Sequence, residues 1–452
     1  MRYFLYLILM LSVSVVKAET IDLARAIELA LSSDPRIEEK KAFVKHAQAL
    51  YEQANSSGGI RVNMTTFLAV TTGVDGGFYQ DGSSTCTPNC EPRSDAYDFD
   101  DGFSLWAHLE GSVIKPISTF GRLENYQKAA ESNVLVKNED IVLQQDEIRL
   151  DVVRAYNGYL TARDSRFLIE ATIKRLSAAL DLINEWLEEG KGEVNLSDRY
   201  ALEAGMGLLE RFKVEASGLE SIAIAGLSVL TGLDVAEIKV ADKRLRAAEL
   251  PEEDIDQLVK LALDNRPEFK QLDAGLSARR ALVEAQKSEN KPVAFVGVAG
   301  STSYSPGRDS LNNPHIYDPF NHTALTPMVG MTWSWEGAVA DAKVDQAKAE
   351  LNALIHKSSF AQRGVPFQVS EQFHTVHSLH QQMAAMKDAA KSARRWMVAS
   401  YTDFEAGLEE ADKIIAAMQM YVLAYADYLK IMNDYNNSAS KLKSVTGNYN
   451  EF

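Results

Sequence analysis

The sequence predicts a mainly α-helical chain with a small β part, arranged as a duplicated helix-strand-strand-helix unit. Three observations carry this. Two tracts without proline, Ile117 to Leu250 and Phe367 to Phe452, are rich in Ala, Leu, Glu, Gln and Lys. An interior proline costs a helix about 3 kcal/mol, so such tracts are expected to form very long helices. The stretch LALSSDPRI at Leu29–Ile37 recurs as LALDNRPEF at Leu261–Phe269, and SVLTG at Ser228–Gly232 recurs as KSVTG at Lys443–Gly447. Four short segments are strand candidates, three of which alternate in hydropathy as half-exposed strands do.

The first residues, MRYFLYLILMLSVSVVKAET, hold one Arg, an apolar run from Tyr3 to Val16 and a small-residue site at Val16-Lys17-Ala18. Residues 1–18 therefore read as a secretory signal, too short to span a bilayer as a helix. No Cys follows the run, so no lipid attachment is expected. Acidic residues outnumber basic ones, 63 to 47, for a net charge of -16. With no clustered basic face, nucleic acid is excluded as a partner. No later run is long and apolar enough for a helical span, which leaves a barrel open because barrel strands alternate.

The first repeat is expected over residues 19–250 and the second over 251–452. In the first, a helix after Pro35 gives way to strands at about 60–73 and 102–115. Ile60, Val62, Met64, Leu68 and Val70 oppose Arg61, Asn63, Thr65 and Thr71, whereas Trp106 breaks the alternation of the next strand. The Gly/Asp/Ser-rich loop between them carries the two cysteines of the chain, Cys86 and Cys90, in CTPNC. A loop disulfide fits an exported chain better than half of a metal site, because neither a second Cys pair nor a nearby His completes one. Long helices follow over about 119–230; from Leu123 to Leu187 alone the span would be roughly 95 Å. An apolar stripe of that length requires burial against other helices. In the second repeat a small-residue segment at 293–304 is an ambiguous strand, while Leu325, Val329, Met331, Trp333 and Trp335 mark a clear one at 325–335. Helices over about 337–446 complete it, and Pro366 reads as a kink or break.

Four strands cannot close a membrane barrel, which needs about eight, and lipid does not tolerate an open edge. Strands must be pooled between copies: two copies would supply eight and three would supply twelve. Alternation does not choose between them.

Across essentially the whole exported chain these features resemble the TolC-type outer-membrane efflux family. The resemblance rests on the duplication, the helix openings around Pro35 and Pro267, and the strand-to-helix junctions ISTFGRLENYQKA at Gly121 and WSWEGAVADAKVDQAKAE at Gly337. It rests also on the turn GEVNLSDRYALEA at Gly192 and the shared TG endings. It implies a homotrimer whose twelve strands form one outer-membrane barrel, continuous with a periplasmic α-helical tube. Such a tube is an exit duct, docked through a periplasmic adaptor to an inner-membrane pump of an efflux or type I secretion system.

The resemblance places a periplasmic gate at two helix-to-helix turns, near Gly190–Asp198 and Phe404–Asp412. Gly192, Ser197 and Asp198 match the first turn of the family. In the second, Phe404 stands where a Tyr hydroxyl often bonds across, and Glu409 where a basic residue can sit. With Gly407, Glu410 and Asp412, this turn is acidic, and its repetition around a mouth would attract cations. A solvated turn or an adaptor-docking surface is the alternative. His374, His377 and His380 read as a solvated helix face. No GxSxG elbow is present, so no catalytic, cofactor or metal residue is assigned. A non-conducting periplasmic or surface scaffold is the competing function, and the cargo is left open.

Overall fold

The structure is a computed structural model. It describes residues 19–449 except 74–78, 81–82, 84–87, 89–90, 93–101, 192–193 and 311–316. The signal segment, the Cys86/Cys90 pair and Gly192 therefore lie outside the described residues.

In chain order the elements are β1 (Glu19–Ile21), α1 (Leu23–Ser33), α2 (Pro35–Ser56), β2 (Arg61–Thr72), β3 (Phe103–Ser118), α3 (Arg122–Glu189) and α4 (Leu196–Thr231). After a short 3-10 turn come β4 (Ile238–Val240), α5 (Ile255–Asn265), α6 (Pro267–Lys287), β5 (Val293–Tyr304), β6 (His322–Thr332), α7 (Ala338–Glu405) and α8 (Ala411–Val445). From α1 and from α5 the order is the same: two helices, two strands, two helices. The third helix of each set, α3 and α7, has 68 residues.

Local chemistry explains the recurring sequence signatures. Pro35 and Pro267 are the first residues of α2 and α6, where the missing N–H is one that a helix leaves unpaired anyway. The preceding residues, Asp34 and Arg266, are extended, with ψ of 120° and 130°, as a following proline demands. They end α1 and α5. Asp22 caps α1 by accepting from the Arg25 N–H at 2.8 Å, and Asp254 caps α5 through Gln257. The TG endings close onto the same places. Gly232 and Gly447 both have φ of +74°, and a Cβ on them would meet Ser33 and Asn265 respectively, at 3.3 Å and 3.0 Å. Only glycine combines that dihedral with so close an approach.

The chain divides into two compact units. One comprises Met1–Val44, Val136–Leu272 and His356–Phe452; the other comprises Lys45–Leu135 and Asp273–Ile355. In the first unit β1 pairs in parallel with β4, and the core gathers Ile21, Ala30, Ile148, Tyr156, Leu227 and Tyr435. The connection between the two sets of elements is fastened to this core by Asn436. Its side chain accepts from Ala248 N–H at 2.9 Å and donates to Arg246 O at 2.8 Å.

The second unit holds an antiparallel sheet in the order β2-β3-β5-β6. Its strand prolines sit where the ladder tolerates them: Pro116 at the irregularity between Pro116 and Ser118, Pro327 on the edge strand β6. The segment read as ambiguous is β5, in which Gly297 lets the Val113 carbonyl come within 2.5 Å of where a Cβ would stand. Small residues thus mark close backbone packing there.

Three readings need correction. The last strand is His322–Thr332, so Trp333 and Trp335 lie beyond it; the Trp333 indole donates to Asn290 O at 2.8 Å instead. Of the kink or break expected at Pro366, the break is excluded: α7 continues through it, with Val365 and Val369 buried on either side. His377 and His380 are half-buried, not solvated. His377 stacks on Phe373 at 4.0 Å and its Nδ1 lies 2.9 Å from the Phe373 carbonyl oxygen, while His380 faces Tyr435.

Candidate functional site

Both helix-to-helix turns belong to the first unit, and both begin with the same device. After α3, the Lys191 N–H donates to Trp186 O at 2.9 Å across Gly190, whose φ is +64°. After α7, Leu408 N–H donates to Asp403 O at 2.9 Å and Gly407 N–H to Phe404 O at 2.8 Å, with Gly407 at φ +70°. The bond common to both turns, from an N–H to the carbonyl five residues earlier, satisfies a helix-end carbonyl and needs a left-handed residue, and the α7 turn adds the Gly407 bond. The next helices start differently. Asn195 caps α4, accepting from Ser197 N–H at 2.7 Å and Asp198 N–H at 3.3 Å, and the Asp198 carboxylate accepts in return from Asn195 N–H at 2.9 Å. Glu410 stands at the start of α8 without such a bond.

One buried cluster gathers both turns, including Ile183, Leu202, Phe404, Ala411, Ile414 and Met418. Phe404 is fully buried, its ring 5.2 Å from Trp186. The residue expected to act at the mouth is thus a packing residue that sets the geometry of the turn. Asp198 is engaged within its own turn. The acidic residues remain outside: Glu405, Glu410 and Asp412 are exposed, and Glu409 is half-buried with its carboxylate 2.7 Å from Lys413 Nζ. That hydrogen bond raises the Lys413 pKa. Among the described residues Glu405, Glu410 and Asp412 enter no ion pair, although Lys413 lies near enough for Glu410 and Asp412 to raise its pKa further, so the turn keeps a net negative charge. Sequence spacing singled out the acids but missed Trp186, Asn195 and Lys413; an Asn before the apolar run of α4 and a Lys at i+4 from Glu409 were the available signals.

The second unit supplies a sheet with two unlike faces. The pairing Val62↔Val113, Met64↔Gly111 and Val70↔Leu105, continued by Val113↔Val298 and Val296↔Val329, gathers apolar residues from all four strands on one side, with Phe67, Trp106, Ile114, Phe295 and Met328 on the other. The apolar side chains of the first side are exposed, reaching 77% at Leu325 and 81% at Val329. Lys115 is the one charged residue among the strand positions of this face. The opposite side carries Asn63, Glu110, Ser112, Ser301 and Ser303, with an aromatic group built around Trp106. Trp106 meets Phe67 at 4.9 Å and Phe320 at 5.0 Å, and His108 Nδ1 lies 2.6 Å from Ser303 Oγ. Trp106, the break in the sequence pattern, is thereby the centre of a cluster on the polar face. Exposed aromatics sit near both ends of the apolar face, Trp333 and Trp335 beside the helices and Phe103 and Tyr304 at the far end.

No family model matches the chain. In sequence it is similar to the alkaline protease secretion protein AprF of Pseudomonas aeruginosa, 23% identical over 341 residues, which are 74% of this chain and 68% of that protein. In structure it is similar to the outer membrane protein VceC of Vibrio cholerae, with a TM-score of 0.74 at 14% identity, covering 94% of this chain and 96% of that one. The Campylobacter jejuni CmeC outer membrane channel gives 0.75 at 13% identity, covering 94% and 85%. The Neisseria gonorrhoeae MtrE outer membrane channel, in its open state, gives 0.73 at 14% identity, covering 94% and 89%.

Proposed function

We propose that this chain, which has the fold of the TolC-type outer-membrane channels, is an outer-membrane exit duct reaching into the periplasm, and that its mechanism is conduction. The observation that carries this is the exposed apolar face of the sheet opposite a more polar one. A soluble scaffold has no use for such a face, whereas a barrel wall needs lipid on one side and water on the other. The finer assembly follows from edges. Strands β2 and β6 each leave one side unpaired within the chain, and three copies joined edge to edge would give the closed twelve-stranded barrel that the family resemblance implies. The repeated element order, the equal lengths of α3 and α7 and the twin caps at Gly232 and Gly447 support descent from a duplicated unit.

A duct of this kind takes its free energy from elsewhere, so an inner-membrane pump and a periplasmic adaptor are its partners. The likeness to AprF favours an ATP-driven secretion assembly, with a drug or metal efflux assembly as the other possibility. The two helix turns form the restrictive periplasmic entrance. Glu410 and Asp412, repeated three times around it, make it prefer cations, with Glu409 partly neutralised by Lys413.

The test is single-channel recording of the purified protein in planar bilayers. The wild type is expected to conduct weakly and prefer cations, and Glu409→Gln/Glu410→Gln/Asp412→Asn to lose most of that preference. A triple variant with unchanged selectivity puts these carboxylates on the outer face, as an adaptor-docking surface. Absence of any conductance removes the duct itself.

A further inference from the structure

In the first unit, α3, α7, α8 and the connection between the two sets of elements line a solvent-open pocket of about 400 Å³, within the ~300–1,000 Å³ typical of small-molecule sites. Three arginines line it: Arg175 on α3, Arg244 on the connection and Arg394 on α7. Among the described residues none has a carboxylate partner within ion-pair distance. Arg175 donates from Nη1 to the thioether of Met397 at 3.1 Å, a weak acceptor for a charged donor. Asp164 is the single acid in the lining, and one of its oxygens already accepts from Leu245 N–H at 2.9 Å. Tyr421 and Tyr425, whose rings lie 5.9 Å apart, add two phenol groups.

We propose that this pocket binds a small multivalent anion bearing phosphate or carboxylate groups. Guanidinium groups are rigid forks suited to such oxygens. Arg175 is half-buried and Arg244 and Arg394 are exposed, and Asp164 bears electrostatically on Arg244, so three cations against one acid leave net positive charge at this cavity in a chain of net charge -16, a local field that attracts anions. The lining is rich in donors and poor in acceptors, and the tyrosine rings offer an apolar wall to the body of the ligand. An anion held there ties together four segments otherwise distant in the chain.

Isothermal titration of the full-length protein in non-ionic detergent at low salt, with inorganic pyrophosphate as probe, tests this. Saturable binding at one site per chain is expected, weakened at least tenfold by Arg244→Gln and by Arg394→Gln at unchanged oligomeric mass. Arg395→Gln, one residue outside the pocket, should bind as the wild type does. No saturable binding overturns the proposal. Equal weakening by Arg395→Gln reduces it to diffuse surface attraction and overturns it too. If the wild type fails to bind and Arg394→Gln alters the oligomeric mass, the arginines meet carboxylates of a neighbouring copy instead.

Discussion

Asp146 on α3 shows how burial, more than pairing, sets the behaviour of a single residue in these helices. It is 8% exposed; Ser444 Oγ donates to one carboxylate oxygen at 2.6 Å, and the other has no partner among the described residues. Burial raises its pKa, against the opposing effects of Ser444, Lys441 and Arg149. A carboxyl whose folded pKa exceeds its unfolded one contributes stability below the unfolded pKa and loses it as pH rises through the folded value. At neutral pH the charged form is therefore a burden. Asp146→Asn keeps an acceptor for Ser444 and removes the charge, so its Tm should exceed that of the wild type at pH 7 and approach it at low pH. Thermal melts at both pH values check this, and a lower Tm at pH 7 refutes it. None of this was legible in the sequence, because which polar residue a helix buries depends on its neighbours.

At the scale of elements, the sheet makes the sharpest demand. Arginine at a lipid-facing barrel position costs roughly 2–4 kcal/mol near the bilayer midplane, and substitution on the water side is tolerated. Val329→Arg on the apolar face should greatly reduce the folded protein recovered from the outer-membrane fraction. Thr326→Arg, three positions away on the other face, should leave recovery near wild type. Equal recovery of the two variants would mean that the faces are not divided between lipid and water. The two-residue period made this division readable from the sequence in β2 and β6. In β3 and β5 it was masked, by Trp106 serving a cluster on the polar face and by glycines chosen for backbone approach. The continuation of α7 through Pro366, with Val365 and Val369 buried on either side, is likewise recorded by no local propensity.

For the whole molecule, the unpaired edges of β2 and β6 require partners. Native mass measurement in detergent is expected to find a trimer, and a uniform monomer would sink the barrel. We further propose that Cys86 and Cys90 form a disulfide in an extracellular loop. So small a ring gains little from loop closure, so Cys86→Ser/Cys90→Ser should assemble into the same trimer.

The class of object was legible in the amino-acid order: export, two long proline-free helical stretches, strand segments that alternate clearly in β2 and β6, and a repeated set of helix caps. Each is a local property of composition or period, and local properties survive without knowledge of contacts. Which residues of the turns face outward was settled by packing. It buried Phe404 on Trp186, engaged Asp198 with Asn195, neutralised Glu409 with Lys413 and left Glu410 and Asp412 exposed. It also brought Arg175, Arg244 and Arg394 around one pocket. Those arrangements join residues far apart in the chain, and burial and charge pairing exist only once the helices have packed.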